Sequence, residues 1–193
     1  MLTRWGASVW RKVFPRARLW GGQACDNWGM SLTTTLSTTV PRVSIQTEDF
    51  DLSVEIAALR AGDARGGAVC SFVGTVRDRN EGDSVASMEL EHYPGMTEKS
   101  IEAIIDQAIE RFGLFGVRVI HRVGLLAPLD QIVLVAVTSA HRGMSFQGCE
   151  YIMDYLKSLA PFWKKEQTPQ GARWVDARVS DEDALARWTS PKI

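Results

Sequence analysis

The sequence predicts an α+β fold. Helical and strand patterns are interleaved along the chain, but they lack the strict βαβ repetition of a doubly wound sheet, and no glycine-rich phosphate loop follows a strand. Of the 193 residues, 45% are hydrophobic and 23% are charged, which is typical of a globular protein. We expect a chain of this length to form one domain whose core is large enough to need no disulfides.

The apolar runs and the cysteines exclude further classes of protein. The longest strongly apolar run, residues 132–137, is far shorter than the ~20 residues that a membrane-spanning helix needs. Cys25, Cys70 and Cys149 are widely spaced and form no CxxC pair, a pattern that indicates a reduced, cytoplasmic protein without a zinc site. We expect Cys70 and Cys149 to be core residues.

Charge separates the first forty residues from the rest. Residues 1–40 carry five basic residues against Asp26, a net charge of +4, so the chain total of −1 leaves −5 on residues 41–193. This acidic body argues against nucleic acid as a partner. Residues 1–40 show no helical or alternating period, and Met30 offers an alternative start. We expect residues 1–40 to be an N-terminal extension, disordered or not natively translated, and residues 41–193 to be a single domain.

The first elements of this domain are a short helix and two strands. Between Asp51, a favourable N-cap, and Gly62, the apolar residues recur at helical spacing. Residues 68–76 are rich in β-branched side chains and end at Arg77, which predicts a strand. Residues 88–93 alternate apolar and polar side chains, which predicts a half-exposed strand that pairs with the preceding one.

A long amphipathic helix and two further strands follow. The helix has Thr97 as its expected cap and ends at Gly113. Its apolar face consists of Ile101, Ile104, Ile105, Ala108, Ile109 and Phe112. Residues 117–123 and 131–138, separated by Pro128, predict two strands, and the second is apolar on both faces.

The last part of the chain predicts a second long helix and a hairpin. Residues 146–159 have helical spacing, and Pro161 ends the helix because proline cannot continue its hydrogen bonds. Lys157 therefore lies in the last turn. The buried face is expected to hold Cys149, Ile152, Met153 and Leu156. The remaining elements are a hairpin of residues 163–166 and 173–177 and a final helix at residues 181–188.

Cationic side chains stand at the ends of these elements. Arg77 closes a strand, His141 and Arg142 lie where a strand meets a helix, and Lys157 and Lys164 flank the helix-ending proline. Each one alone is ordinarily a solvated surface residue. Together, a strand-end arginine and a helix start would form an anion cradle, and a lysine beside aromatic side chains suits proton transfer. Spacing alone does not show that these groups converge.

Five ordered motifs carry a family resemblance. They are SFVGTVR at 71–77, LEHYPGM at 90–96, HRVG at 121–124, SAHR at 139–142 and YLKSLAPFWKKE at 155–166. In this order, from about Val43 to Trp188, the motifs resemble the large, catalytic subunit of molybdopterin synthase, the MoaE family. Residues 1–40 lie outside the resemblance. No catalytic serine elbow, HExxH motif or carboxylate ladder competes with it.

The resemblance implies an α/β hammerhead-type domain with a small additional β/α subdomain. It implies a sulfurtransferase of molybdenum cofactor biosynthesis that works as a homodimer, with two small ubiquitin-like sulfur-carrier subunits completing a heterotetramer. Sulfur from the carrier's C-terminal Gly-Gly thiocarboxylate is transferred to cyclic pyranopterin monophosphate, which becomes the dithiolene of molybdopterin. The resemblance implies no metal and no other cofactor, and a cytoplasmic location.

The functional positions of the family match residues of this chain. The resemblance implies that Lys157 and Lys164 are catalytic. It implies substrate binding by Thr75, Val76, Arg77, His141, Arg142, Lys157, Lys164, Lys165 and Glu166. Two other hypotheses stay open: a non-catalytic module that holds a ubiquitin-like tail or a pterin, and a membrane-surface or nucleic-acid attachment function of the basic N-terminal segment. The presence of both lysines favours the enzyme over the module.

Overall fold

The structure, a computed structural model, describes residues 41–61, 63–80, 83–169, 171–175 and 184–188. All of them belong to one unit that spans residues 38–193. The elements are, in chain order, β1 (Val43–Gln46), α1 (Leu52–Arg60), β2 (Ala68–Thr75), β3 (Arg79–Asn80), β4 (Asp83–Ser84), β5 (Ser87–His92), α2 (Met96–Phe112), β6 (Leu114–Arg122), β7 (Gly124–Leu126), β8 (Gln131–Ser139), α3 (Arg142–Ser158), β9 (Phe162–Thr168) and β10 (Gly171–Val175). The expected extension at residues 1–40 lies outside the described residues, so the domain boundary at residue 41 stays a prediction.

A four-stranded sheet with strand order β1-β6-β8-β2 carries the main core. Strand β1 is parallel to β6, and the other neighbours are antiparallel. Alternate residues of β8 face different layers: Val133, Val135 and Val137 pack with helices α2 and α3, whereas Leu134 and Ala136 pack with helix α1. The expectation that this strand is apolar on both faces is confirmed, because helices cover both sides of the sheet.

The second sheet is antiparallel, with strand order β10-β9-β5-β7. The expectation that residues 88–93 pair with strand β2 is wrong: β5 lies between β9 and β7, and β2 pairs with β8 instead. The alternation in β5 has another cause, because Met88 and Leu90 pack in a small apolar cluster with Val76 and Leu126. Sequence analysis also missed the short strand β7.

The helix ends follow from local capping. Asp51 caps α1 as expected, since its carboxylate accepts hydrogen bonds from two amides of the first turn at 2.7 and 3.1 Å. Helix α2 has Gly95 as its N-cap, and the Gly95 amide donates to Glu98 at 2.6 Å. The expectation that Thr97 is the cap is wrong, because Thr97 is buried inside the helix and its hydroxyl bonds the preceding turn. Gly113 ends α2 in the left-handed conformation, with φ of 61°.

The C-terminal elements agree with the sequence where they are described. The hairpin of β9 and β10 is confirmed. Residues 184–188 are helical, whereas the remainder of the expected last helix, 181–183, lies outside the described residues. Trp188 packs edge-on against Phe112 and Tyr151, which holds this segment against α2 and α3. None of the described helices is long and apolar enough to cross a membrane.

Gly67 leads into strand β2 beside the chain that enters helix α3, and it has no room for a side chain. A Cβ atom there would lie 2.5 Å from the carbonyl oxygen of Ala140, and the Gly67 amide already donates to the Ser139 carbonyl at 3.0 Å. We expect Gly67→Ala to lower the free energy of unfolding by ~1–3 kcal/mol. Gly66→Ala is the matched control, since its Cβ would meet only ordinary contacts of 3.7 and 3.9 Å. Urea unfolding of both variants measures the difference, and equal stabilities would contradict the clash.

Candidate active site

A cavity of about 340 Å³ lies between strand β2 and helix α3. Its lining is Cys70, Ser71, Phe72, Phe146, Cys149, Glu150, Met153, Asp154 and Lys157. Aromatic and thioether groups therefore face a lysine ammonium across one cavity. Such a lining accepts a flat ring system and places a cation beside it.

The register of α3 on β2 decides which end of the cavity holds Lys157. Ser145, in the first turns of the helix, lies 3.3 Å from the carbonyl oxygen of Ala68 at the start of the strand. Cys149 and Cys70 come next and interact with each other. Four helical residues and two strand residues both advance by ~6 Å, so helix and strand stay in step. Lys157 therefore lies towards the end of β2 that leads to Arg77.

The two acidic residues in the cavity wall are held by an arginine. Arg187 Nη1 lies 3.0 Å from Glu150 Oε1, and Arg187 Nη2 lies 2.9 Å from Asp154 Oδ2. The indole Nε1 of Trp188 also donates to Asp154 at 2.8 Å. These contacts balance the negative charge of Glu150 and Asp154 in the wall that also contains Lys157.

Arg77 is tied to the second sheet through one intermediate residue. Its Nη2 donates to Asn80 Oδ1 at 3.2 Å, and Asn80 Nδ2 donates to the two carboxylate oxygens of Glu166 at 2.9 and 3.1 Å. Glu166 is only 2% exposed. The resemblance implied substrate binding by Glu166, but this carboxylate is buried against Asn80.

Lys164 lies on the same face of β9 as Phe162 and Glu166, since side chains alternate along a strand. Phe162 stacks on the imidazole of His121, with ring centroids 3.8 Å apart. Burial lowers the pKa of His121 to about 4. The hydrogen bond to the Arg122 carbonyl partly offsets this, and the Lys164 charge adds a smaller lowering. His121 is therefore neutral at neutral pH, and the Lys164 ammonium lies close enough to affect it.

Lys165 points to the opposite face of β9. Its Nζ lies 5.6 Å from the ring centroid of Trp174 and 3.9 Å from Glu89 Oε2. The structure thus separates two neighbouring lysines that the sequence groups together, and Lys165 does not share the face of Lys164.

Thr75 and Val76 differ in what they offer a ligand. Thr75 ends β2 with an exposed side chain. Val76 is 1% exposed, and its amide and carbonyl bond Asp130 and Leu129, both at 2.9 Å. Val76 therefore supports the strand end, and its substrate-binding role stays a prediction.

His141 and Arg142 lie at the other end of helix α3. Both side chains are exposed at the helix N-terminus. Arg142 is separated from Lys157 by ~22 Å along the helix axis. The start of β2, where Ala68 pairs with Ser139, is ~30 Å from Arg77 along the chain. A single chain therefore does not bring His141 and Arg142 together with Arg77 into one anion site.

Comparison with known proteins decides the family. Residues 45–159 match the family model described as MoaE protein. The chain belongs to the MoaE family. A curated relative from Ralstonia nicotianae, a molybdopterin synthase catalytic subunit, is 67% identical over 149 residues, which cover 77% of this chain and 85% of the relative. The solved structure of a molybdopterin biosynthesis MoaE protein from Burkholderia ambifaria is 57% identical with a TM-score of 0.68, and it matches over 79% of this chain and 100% of that one.

A more distant MoaE-like structure agrees on the fold. It is a protein-protein complex of subunits 1 and 2 of molybdopterin-converting factor from Helicobacter pylori, 19% identical with a TM-score of 0.60 over 72% of this chain and 92% of that one. At this identity the likeness supports the fold alone. The family and the α+β fold class expected from the motifs are both confirmed.

Three residues of this MoaE site were missed as functional candidates. Phe72 and Met153 line the cavity, and Asn80 joins Arg77 to Glu166. Phe72 had no usable signal in the sequence, because its 41% exposure on an outer strand appears only in the structure. Asn80 had none, because it lies in a turn-like stretch of the sequence and bonds a residue 86 positions away.

Two thiols of the MoaE cavity lie side by side. Cys149 is buried in the core as expected, while Cys70 is half-buried and packs against that core. Burial, with a further contribution from Cys70, raises the pKa of the Cys149 thiol. In the described part of the chain, no group of three or more histidine, cysteine, aspartate or glutamate side chains is arranged to hold a metal ion.

We expect iodoacetamide to label Cys70 faster than Cys149 in the folded protein at neutral pH. The reagent attacks a thiolate, and Cys149 is both buried and held in the thiol form. Peptide mass spectrometry after short exposures measures the two rates. Labelling in guanidinium chloride is the control, since both cysteines should then react alike. Equal rates in the native protein would contradict the burial of Cys149.

Proposed function

We propose that this chain is the catalytic subunit of a molybdopterin synthase. It transfers sulfur from the C-terminal thiocarboxylate of a small ubiquitin-like carrier to cyclic pyranopterin monophosphate, and two such transfers form the dithiolene of molybdopterin. The observation that supports this most is Lys157 in the wall of a largely apolar cavity, at the end of β2 that leads to Arg77. The family membership of the chain supports the same reaction.

The ammonium of Lys157 suits the charge changes of this transfer. The incoming thiocarboxylate is an anion. After its sulfur bonds to the precursor, water attacks the acyl carbon and the acyl C–S bond breaks. The carrier then leaves as a carboxylate and the sulfur stays on the pterin as a thiolate, so negative charge develops at the acyl oxygen and at the sulfur. An ammonium beside the reacting atoms stabilises such charge, and the apolar walls of the cavity strengthen the interaction relative to bulk water. Phe72, Phe146 and Met153 supply the apolar walls against which the pterin ring packs.

The phosphate of the precursor needs cationic donors. Arg77 is exposed at the end of β2, and its hydrogen bond to Asn80 uses one of the five N–H groups of the guanidinium. Because residues 41–193 carry a net charge of −5, local cations must attract the anionic precursor. Arg77 supplies one of them, and the start of helix α3 supplies others.

A second copy of the chain brings these cations together. Strand β2 is an outer strand of its sheet within the described residues. Val69, Phe72, Met144 and Phe146, on β2 and the first turns of α3, are all at least 39% exposed, which is typical of an interface between chains. In a two-fold contact across this surface with the axis perpendicular to β2, each chain presents the start of its β2 to the end of the other's β2. His141 and Arg142 of one copy then approach Arg77 and Lys157 of the other.

The carrier subunit is the second partner, and its C-terminal tail enters the cavity to reach Lys157. The proposed location is the cytoplasm, where the thiols of Cys70 and Cys149 stay free. A non-catalytic module of the same fold would also hold a ubiquitin-like tail or a pterin. The enzyme is favoured because both Lys157 and Lys164 are present and because a relative 67% identical to this chain is a molybdopterin synthase catalytic subunit.

We expect Lys157→Ala to lower the rate of molybdopterin formation by about 10²-fold or more, because it removes the cation beside the transferred sulfur. The change should leave the unfolding midpoint close to that of the unchanged chain, since Lys157 is exposed. The assay incubates the chain with thiocarboxylated carrier and cyclic pyranopterin monophosphate. Lys99→Ala, at an exposed lysine of α2, is the matched control. An unchanged rate in Lys157→Ala would remove Lys157 from catalysis.

We expect Lys157→Ala and Arg142→Ala to complement each other in mixed dimers at precursor concentrations far below saturation, where either change alone removes most of the activity. If a site takes Lys157 from one chain and Arg142 from the other, a dimer of one Lys157→Ala chain and one Arg142→Ala chain keeps one intact site. Random mixing of the two variants should then restore about a quarter of the unchanged activity. If both groups came from the same chain, the mixture would stay as inactive as its components.

The complementation experiment has its own controls. Each variant is assayed alone, and light scattering should report a dimer for both. Arg142→Ala alone should weaken precursor binding roughly ten-fold to a hundred-fold, the loss of one charge-assisted hydrogen bond, while carrier affinity stays close to that of the unchanged chain. A strict monomer at micromolar concentration would count against the shared site.

A further inference from the structure

We propose that Asn80 is a positioning residue that holds the Arg77 guanidinium at the end of strand β2, and that Glu166 acts through Asn80 rather than on the substrate. This inference rests on the proposed function, because it concerns how the same site holds its arginine. A chain of hydrogen bonds from Glu166 through Asn80 to Arg77 carries it.

The buried carboxylate of Glu166 contacts Asn80 and is closed off from solvent. Its side chain is 2% exposed and that of Asn80 is 6% exposed. Asn80 Nδ2 lies 2.9 and 3.1 Å from the two carboxylate oxygens. A buried carboxylate is costly unless donors satisfy it, so the contact with Asn80 stabilises Glu166 at this depth. A soluble ligand does not reach a group that is closed off in this way.

The chemistry of an amide next to a carboxylate fixes the orientation of Asn80. A carboxylate only accepts hydrogen bonds, so the NH₂ end of the Asn80 amide must face Glu166. The carbonyl end, Oδ1, then faces away and accepts from Arg77 Nη2 at 3.2 Å. Glu166 therefore determines where Asn80 presents an acceptor, and that acceptor holds the guanidinium.

A neutral residue between Arg77 and Glu166 preserves the positive charge of the site. Direct pairing with Glu166 would hold the guanidinium equally well, but it would cancel the charge that an anionic substrate needs and occupy two donors at once. Asn80 uses one donor and adds no charge. Arg77 is thus held in place while its remaining N–H groups stay available for a phosphate.

The same contacts join two distant parts of the site. Arg77 and Asn80 belong to the segment that follows β2, whereas Glu166 lies on β9 two residues after Lys164 and on the same face. The Asn80–Glu166 contact therefore sets the spacing between the arginine and the strand that carries Lys164. Loss of this contact should weaken substrate binding at Arg77 more than it lowers the stability of the core.

A double-mutant cycle on the full chain tests this proposal. The dissociation constant of cyclic pyranopterin monophosphate is measured for the unchanged chain, Arg77→Ala, Asn80→Ala and the double variant. We expect Arg77→Ala to weaken binding roughly ten-fold or more and Asn80→Ala about three- to ten-fold. The double variant should match Arg77→Ala, because Asn80 has nothing to position once the guanidinium is gone. Losses that multiply in the double variant would overturn the proposal.

A second variant covers the case in which Asn80→Ala does not fold. Asn80→Asp keeps the shape but places a second carboxylate beside Glu166. At neutral pH the new charge pairs with Arg77, and binding should weaken by more than in Asn80→Ala. At lower pH the two carboxyl groups share a proton, and a protonated Asp again donates to Glu166. The ratio of its dissociation constant to that of the unchanged chain should therefore fall as the pH is lowered, and a constant ratio would contradict the positioning role.

Failure of this proposal is distinguishable from failure of the proposed function. If Arg77→Ala weakens precursor binding while both Asn80 variants bind normally, Asn80 has no positioning role and the enzyme assignment stands. If Arg77→Ala binds normally, Arg77 is outside the site and the positioning proposal is overturned with it. Formation of molybdopterin by the unchanged chain tests the function separately. Circular dichroism at the assay temperature confirms that each variant is folded.

Discussion

Helix α3 lies along strand β2 in a register that hydrogen bonds at one end hold in place. The hydroxyls of Ser139 and Ser145 are 2.7 Å apart, and Ser145 also contacts the Ala68 carbonyl. From this junction, helix and strand run in the same direction with nearly equal steps, so every later contact follows. The cavity, the thiol pair and the position of Lys157 all depend on that register.

The register also divides the cations of the site into two groups. The direction of α3 leaves Arg142 at the start of the strand and carries Lys157 to its end, so ~22 Å of rigid helix separates them. Two-fold symmetry is a simple way to bring opposite ends of one rigid element together. In the proposed dimer, an acidic body can bind an anion because cations from two chains are concentrated where neither chain alone collects them.

Alternation along strand β9 assigns different roles to three consecutive residues. Lys164 and Glu166 share the face that meets His121 and Asn80, whereas Lys165 lies beside Trp174 on the other face. The side-chain period of two in a strand makes this separation unavoidable. It also explains why a motif that appears as one cationic run contains two lysines on opposite faces of the strand and a buried carboxylate.

The sequence by itself determined the local elements and the family. Asp51 as a cap, Pro161 as a stop and the apolar run of β8 each act within a few residues, so their effects are readable from spacing. The family motifs singled out Arg77 and Lys157 as residues of one site, and the structure places both at the same end of β2. Only the tertiary structure decided that β5 pairs with β9, that Asn80 meets Glu166, and that His141 and Arg142 lie away from Arg77. Alternation predicts which side chains share a face of a strand, but it does not predict which strand pairs with it. Contacts between residues far apart in sequence form only when the whole core packs.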